Sequence, residues 1–98
     1  MPYVVTATWT ANAGSEEIVL DAIRHMIEPS RAEPGCRLYQ PTRDLDDPRV
    51  FLIYEIYDDE GAYEAHGASE HAQRWAFGTA IPLLSSRERT FGETIDGL

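Results

Sequence analysis

The sequence predicts an α+β fold: an antiparallel sheet with helices on one of its faces. Three observations lead there. Val50–Asp58 (VFLIYEIYD) is a run of β-branched and aromatic residues, bounded by Asp47-Pro48 before it and Asp58-Asp59-Glu60-Gly61 after it, which reads as a strand. The run does not alternate: Phe51, Ile53 and Tyr57 point to one face, and Leu52, Tyr54 and Ile56 to the other, so both faces need cover. The helical segments on either side of it suffice to cover one face only.

The elements follow in order. Tyr3–Thr10 (YVVTATWT) has strong β propensity, with Tyr3, Val5, Ala7 and Trp9 as its more apolar face. Ala11-Asn12-Ala13-Gly14 is a turn. Ser15 is placed to cap a helix whose first turn carries Glu16 and Glu17, favoured there by the helix dipole. Val19, Ala22, Ile23 and Met26 recur at i, i+3, i+4 and i+7, the stripe of an amphipathic helix. Pro29 is expected to kink or end that helix near Glu28, with one more turn through Arg31-Ala32 still open to it. Glu33-Pro34-Gly35 is a turn signal.

Cys36–Arg43 (CRLYQPTR) reads as a second strand, and Pro41 within it marks an edge or a bulge. Asp44–Pro48 forms a short hairpin loop into the central strand. Asp58 or Asp59 caps a short helix through Ala62, Tyr63 and Ala65, which Gly67 is expected to end. Ser69 can cap the next helix, whose stripe is Ala72, Trp75, Ala76 and Thr79, with Pro82 near its end. Ser86–Ile95 (SRERTFGETI) alternates loosely as a last strand.

The order β-α-β-β-α-β is the ferredoxin-like arrangement. It leaves one sheet face bare, and a bare apolar face of several strands exceeds what a monomer normally exposes. A second copy related by a two-fold axis is the expected cover, giving a homodimer.

At 98 residues the chain is expected to be one domain, 1–98, burying about 60–65% of its unfolded surface. A net charge of −9 argues against nucleic acid as a partner, since phosphate binding needs clustered Lys and Arg. All eight basic residues are arginine, which removes Schiff-base and P-loop chemistry because both need a lysine amine. The single cysteine, Cys36, permits neither an internal disulfide nor a cysteine-based zinc site. No run has the length of a transmembrane helix and Met1-Pro2-Tyr3-Val4 has no export-signal pattern, so no membrane partner and a cytoplasmic location are expected.

Three motifs then carry a resemblance. Glu33-Pro34-Gly35-Cys36-x-x-Tyr39, Tyr54-Glu55-x-Tyr57-x-Asp59 and Ala62-x-x-x-His66-x-x-Ser69-Glu70-His71, in that order, resemble the antibiotic-biosynthesis monooxygenase (ABM) domain family. The resemblance runs from Tyr3 to about Ile95. It implies a dimeric α+β barrel. The family and its relatives include quinol and anthrone-type monooxygenases, haem-degrading enzymes and a phospho-sugar isomerase. The haem-degrading relatives carry an Asn, a Trp and a His at positions that fall here on Ala7, His66 and Ala76, so haem oxygenation does not follow. The resemblance implies instead a cofactor-independent monooxygenase that binds and deprotonates a hydroxylated aromatic, quinol or polyketide-type substrate, whose anion gives an electron to dioxygen.

His66 and His71 are the catalytic candidates: a histidine accepts a phenolic proton near neutral pH, and the resemblance puts both at the family's pocket. The more common role for such a histidine is structural, bonding a backbone carbonyl or capping the gap between two helices. Their i, i+5 spacing does not place them on one helix face and is not the His-Glu-x-x-His pattern, so no metal is expected. Glu55 is either a buried base with a raised pKa or, the favoured reading, one half of a structural ion pair with Arg37, Arg87 or Arg89. Trp9, Tyr54, Tyr57 and Trp75 are the candidate substrate-binding residues, and Tyr39, Phe51 and Phe77 add aromatic surface. Together they either fill the core or line a flat apolar slot for a planar polycyclic molecule. Cys36 is read as a small buried hydrophobe. Besides the monooxygenase, two functions stay open: an isomerase using histidine acid–base chemistry, and a non-catalytic dimer binding a small apolar ligand.

Overall fold

A computed structural model describes all 98 residues. Four strands, β1 (Tyr3–Ala11), β2 (Cys36–Arg43), β3 (Val50–Tyr57) and β4 (Leu84–Glu93), form one antiparallel sheet in the order β2-β3-β1-β4. Helices α1 (Glu16–Arg31), α2 (Glu60–Ala68) and α3 (Ala72–Ala80) lie on one face, and a 3₁₀ turn, Ile81–Leu83, leads from α3 into β4. The ferredoxin-like α+β expectation holds. No helix is long and apolar enough to cross a membrane.

The parity of β3 decides which residues meet the helices. Phe51, Ile53, Glu55 and Tyr57 are buried beneath them, while Leu52 and Tyr54 stand exposed on the opposite face. Val5, Ala7, Trp9 and Ala11 of β1 are the matching buried set. Glu55 therefore lies under the helices, and Tyr54 lies outside with Leu38 and Leu52, each more than one-third exposed.

Helix α1 buries Val19, Ala22, Ile23 and Met26 as its stripe requires, and runs through Pro29 to Arg31. Ser30 is fully buried and Arg31 Nε donates to the Tyr39 carbonyl at 3.0 Å, so packing holds the last turn beyond the proline. Ser15 occupies the cap position without a capping side-chain bond; Glu16 Oε2 instead accepts from the Gly14 N–H at 2.8 Å. Asp59 caps α2, its Oδ1 accepting from Ala62 N–H at 2.8 Å. Gly35 is there for space: a Cβ on it would stand 2.5 Å from the Ala62 Cβ, so only glycine lets the turn before β2 pass beneath α2.

One helix expectation is corrected. Gly67 does not end α2, which continues to Ala68. Helix α3 is wound as a π-helix; it buries Ala72, Ala76 and Ala80 and keeps Trp75 and Thr79 half-buried, so the expected stripe holds with Ala80 added. Thr79 Oγ1 donates to the Arg74 carbonyl five residues back at 2.9 Å. Gly78 allows the wide turn, since a Cβ there would stand 2.9 Å from the Gln73 carbonyl oxygen.

Candidate active site

A cavity of about 150 Å³ lies between the helices and the sheet. It exists because small residues stand where the layers face one another: Ala7 on β1, Gly67 on α2, and Ala72 and Ala76 on α3. Trp9 and Ile53 line the sheet side, Met26 and Phe77 the helix side. A cavity of this volume lined by apolar side chains holds roughly one benzene ring. It is smaller than the polycyclic slot the aromatic content suggested.

Into this apolar space project Glu55 from β3 and His66 from α2, 5% and 7% exposed. Glu55 lacks the expected arginine partner, and Arg37, Arg87 and Arg89 all make other contacts. Its Oε1 accepts from the Tyr57 hydroxyl at 2.5 Å, a partner that fully buried hydroxyl needs, and lies 3.8 Å from His66 Nε2. Burial pushes the Glu55 carboxyl up to about 7, and nearby Glu33 adds to the rise, while the Tyr57 bond pulls the other way. Burial likewise lowers the His66 imidazole below its usual value, outweighing the Glu33 contact that raises it. Both groups are pushed toward their neutral forms. At 3.8 Å the contact is longer than a hydrogen bond, and with both groups pushed toward their neutral forms it is not a fixed ion pair.

Glu33, in the turn after α1, organises the histidines. Its Oε2 lies 2.8 Å from His66 Nδ1 and 2.6 Å from His71 Nε2. A carboxylate only accepts, so both nitrogens carry protons and donate. That tautomer leaves His66 Nε2 with its lone pair toward Glu55 and the cavity. Ser69 ties the junction: its Oγ donates to the His66 carbonyl at 2.6 Å and accepts from Ala72 N–H at 3.2 Å, joining the end of α2 to the start of α3. The rings of Tyr39, Tyr57 and Tyr63 surround His66 at 5.5, 5.4 and 6.4 Å between centroids.

The two histidines thus converge despite their unpromising spacing, through a residue on a different element. Glu33, His66 and His71 offer three ligand atoms within 4.8 Å of one another and could hold a divalent cation. Donors around such an ion stand about 3.0–3.4 Å apart. The observed 2.6 and 2.8 Å are hydrogen-bond separations, and Glu33 would have to withdraw to admit an ion.

The remaining candidates divide. Trp9 lines the cavity, and Tyr57 lies beside it, reaching it through Glu55. Tyr54 is on the far face of the sheet, and Trp75 stacks on His25 of α1 at 3.9 Å, outside the cavity. His71 stands behind Glu33 and does not line it. Glu33 and Tyr63 were missed as site residues. Glu33 is hidden inside a turn signal, and its chemistry appears only once the helices pack.

The chain matches the antibiotic biosynthesis monooxygenase (ABM) family over residues 2–76. Among solved structures it is similar to PA3566 from Pseudomonas aeruginosa, with 32% identity, a TM-score of 0.89, and coverage of 96% of this chain and 94% of that one. It is also similar to Rv0793 from Mycobacterium tuberculosis, at 25% identity, TM-score 0.89 and coverage of 98% and 97%. An antibiotic biosynthesis monooxygenase matches at 26% identity, TM-score 0.87 and coverage of 97% and 99%. An uncharacterized protein of Synechocystis, sll1783, is 31% identical over 65 residues, which span 66% of this chain and 44% of that relative. With the family's sequence pattern across most of its length and the family's fold in its sheet and helices, this chain belongs to the antibiotic biosynthesis monooxygenase family.

Proposed function

We propose that the protein is a cofactor-independent monooxygenase acting on a hydroxylated aromatic or quinol. The observation that carries this is the buried carboxyl of Glu55, poised near neutrality between Tyr57 and His66 on the wall of an aromatic-sized cavity. A general base works best when its pKa lies near the working pH. Glu55 takes the phenolic proton, and His66, held in one tautomer by Glu33, passes it on. Glu33 and His71 act as positioning residues.

The resulting aryloxide gives one electron to dioxygen, and the two radicals recombine as a peroxide at a ring carbon. Loss of water leaves one oxygen atom in the product. The balance is quinol plus O₂ to hydroxyquinone plus H₂O, with all four electrons drawn from the substrate. The open sheet face of Leu38, Leu52 and Tyr54 is covered by a second copy, and the protein works in the cytoplasm as a homodimer.

The same Glu55–His66 pair also suits abstraction of a proton beside a carbonyl, as an isomerase requires. Turnover of a quinol panel with and without oxygen separates the readings. The monooxygenase consumes one O₂ per product and stops under nitrogen; turnover under nitrogen supports the isomerase, and tight binding with neither supports a ligand-binding protein.

A further inference from the structure

Four buried side-chain polar atoms lack a hydrogen-bond partner, and two of them, Trp9 Nε1 and Arg87 Nε, belong to residues lining the cavity. Both are N–H donors. They stand at directly paired positions, Trp9 on β1 opposite Arg87 on β4. Arg89, two residues on and also lining the cavity, lies on the same face. A buried donor left unpaired is costly, so two at paired positions call for an acceptor.

Glu55 acts electrostatically on both guanidiniums without closing an ion pair with either. Arg87 and Arg89 form no ion pair, although Glu55 and Glu64 line the same cavity. Arg87 lies over the Phe77 ring at 5.7 Å and Arg89 over Phe91 at 5.3 Å, with Arg89 Nη1 donating to the Tyr63 hydroxyl at 3.0 Å. These contacts hold the guanidiniums in place without neutralising them. Two like charges at one end of an apolar cavity favour an anion there, against the net charge of −9 on the chain as a whole.

We propose that the cavity takes a hydroxylated aromatic carboxylate, its carboxylate held by the Arg87 and Arg89 guanidiniums beside the Trp9 indole and its hydroxyl presented to Glu55. This rests on the monooxygenase reading for the role of Glu55, while the carboxylate end stands on the two lining arginines that form no ion pair. The sheet register sets the scale. Arg89 is two strands across and two residues along from Glu55, a Cα separation of roughly 12 Å, and Trp9 is one strand across and four along, roughly 14 Å. Side chains reaching inward from both ends leave the length of one ring and its substituents, in keeping with the cavity's volume.

Anaerobic titration calorimetry tests this with protocatechuate, catechol, benzoate and inorganic phosphate. Protocatechuate is expected to bind about 10–100-fold more tightly than catechol, the range for hydrogen bonds to a charged group. Arg87→Gln and Trp9→Phe each shrink that preference, and benzoate competes. Equal affinity for catechol and protocatechuate, or an intact preference in both variants, overturns the assignment; so does phosphate competing as well as benzoate, which marks a general oxyanion site. Wild-type protein that shows the preference but consumes no oxygen retains the carboxylate site while the monooxygenase reading falls.

Discussion

Glu33 and Glu55 approach His66 from opposite sides of its imidazole ring: Glu33 Oε2 is 2.8 Å from Nδ1 and Glu55 Oε1 is 3.8 Å from Nε2. One carboxylate fixes the tautomer, and the other shares the lone-pair side with the cavity. The chemistry assigned to the site depends on this division of labour.

Glu55 makes stability depend on pH in a definable window. Its carboxyl titrates near 4.5 without the fold and at about 7 within it. The folded state holds this proton more tightly, so the associated stabilisation is complete below about 4.5 and is lost as pH rises through 7. Glu55→Gln keeps an acceptor for Tyr57 and carries no charge. Chemical denaturation should find the variant more stable than the parent at pH 8, by on the order of 3 kcal/mol, with the difference shrinking toward pH 5.

Removing the Tyr57 hydroxyl removes the contact that pulls the Glu55 carboxyl down. Tyr57→Phe should therefore move the acid limb of oxygen consumption to higher pH by about one unit. Steady-state rates across pH 5–9 would show it; an unmoved limb would disconnect Tyr57 from the base.

Glu33→Gln replaces a pure acceptor with a group that also donates, so the two imidazoles lose their fixed tautomers. Turnover should fall about 10²-fold or more with little change in KM, because the residue does not line the cavity. His66→Ala should be at least as severe. His71→Ala, acting only through Glu33, should be milder.

The hydrogen-bond separations around Glu33 carry a prediction about metals. Prolonged dialysis against EDTA should leave oxygen consumption and the melting temperature unchanged. Restoration of lost activity by a divalent ion would contradict the reading of Glu33 as a hydrogen-bond acceptor.

Two glycines are predicted to be intolerant. Gly35→Ala forces a Cβ to within 2.5 Å of the Ala62 side chain, and Gly78→Ala to within 2.9 Å of a backbone carbonyl. Neither neighbour is a flexible side-chain end. Each variant should lose about 1–3 kcal/mol in denaturant unfolding, the usual cost of overpacking, with Gly78→Ala also disturbing the α3 wall of the cavity.

Much of the fold was legible because it rests on local pattern. The β-branched run of β3 and the stripe of α1 required no knowledge of neighbours. The site was less so. Glu55 shares its parity with Phe51, Ile53 and Tyr57, yet a strand apolar on both sides does not say which face the helices cover. Tyr54 was lost as a site residue for that reason. Ala72 and Ala76 fit an α-stripe as well as a π-turn, and only the glycine at 78 distinguishes them. Glu33 and His71 meet because a turn, two helices and a serine cap converge, and spacing along the chain carries no trace of it.

The most direct test is the rate of oxygen consumption with a quinol as a function of pH, measured for the wild type and Glu55→Gln. The wild type should gain activity along a single limb centred near pH 7, and the variant should bind the quinol but consume almost no oxygen. Equal rates in the two proteins, or a rate indifferent to pH between 5 and 9, would contradict the assignment of Glu55 as the base.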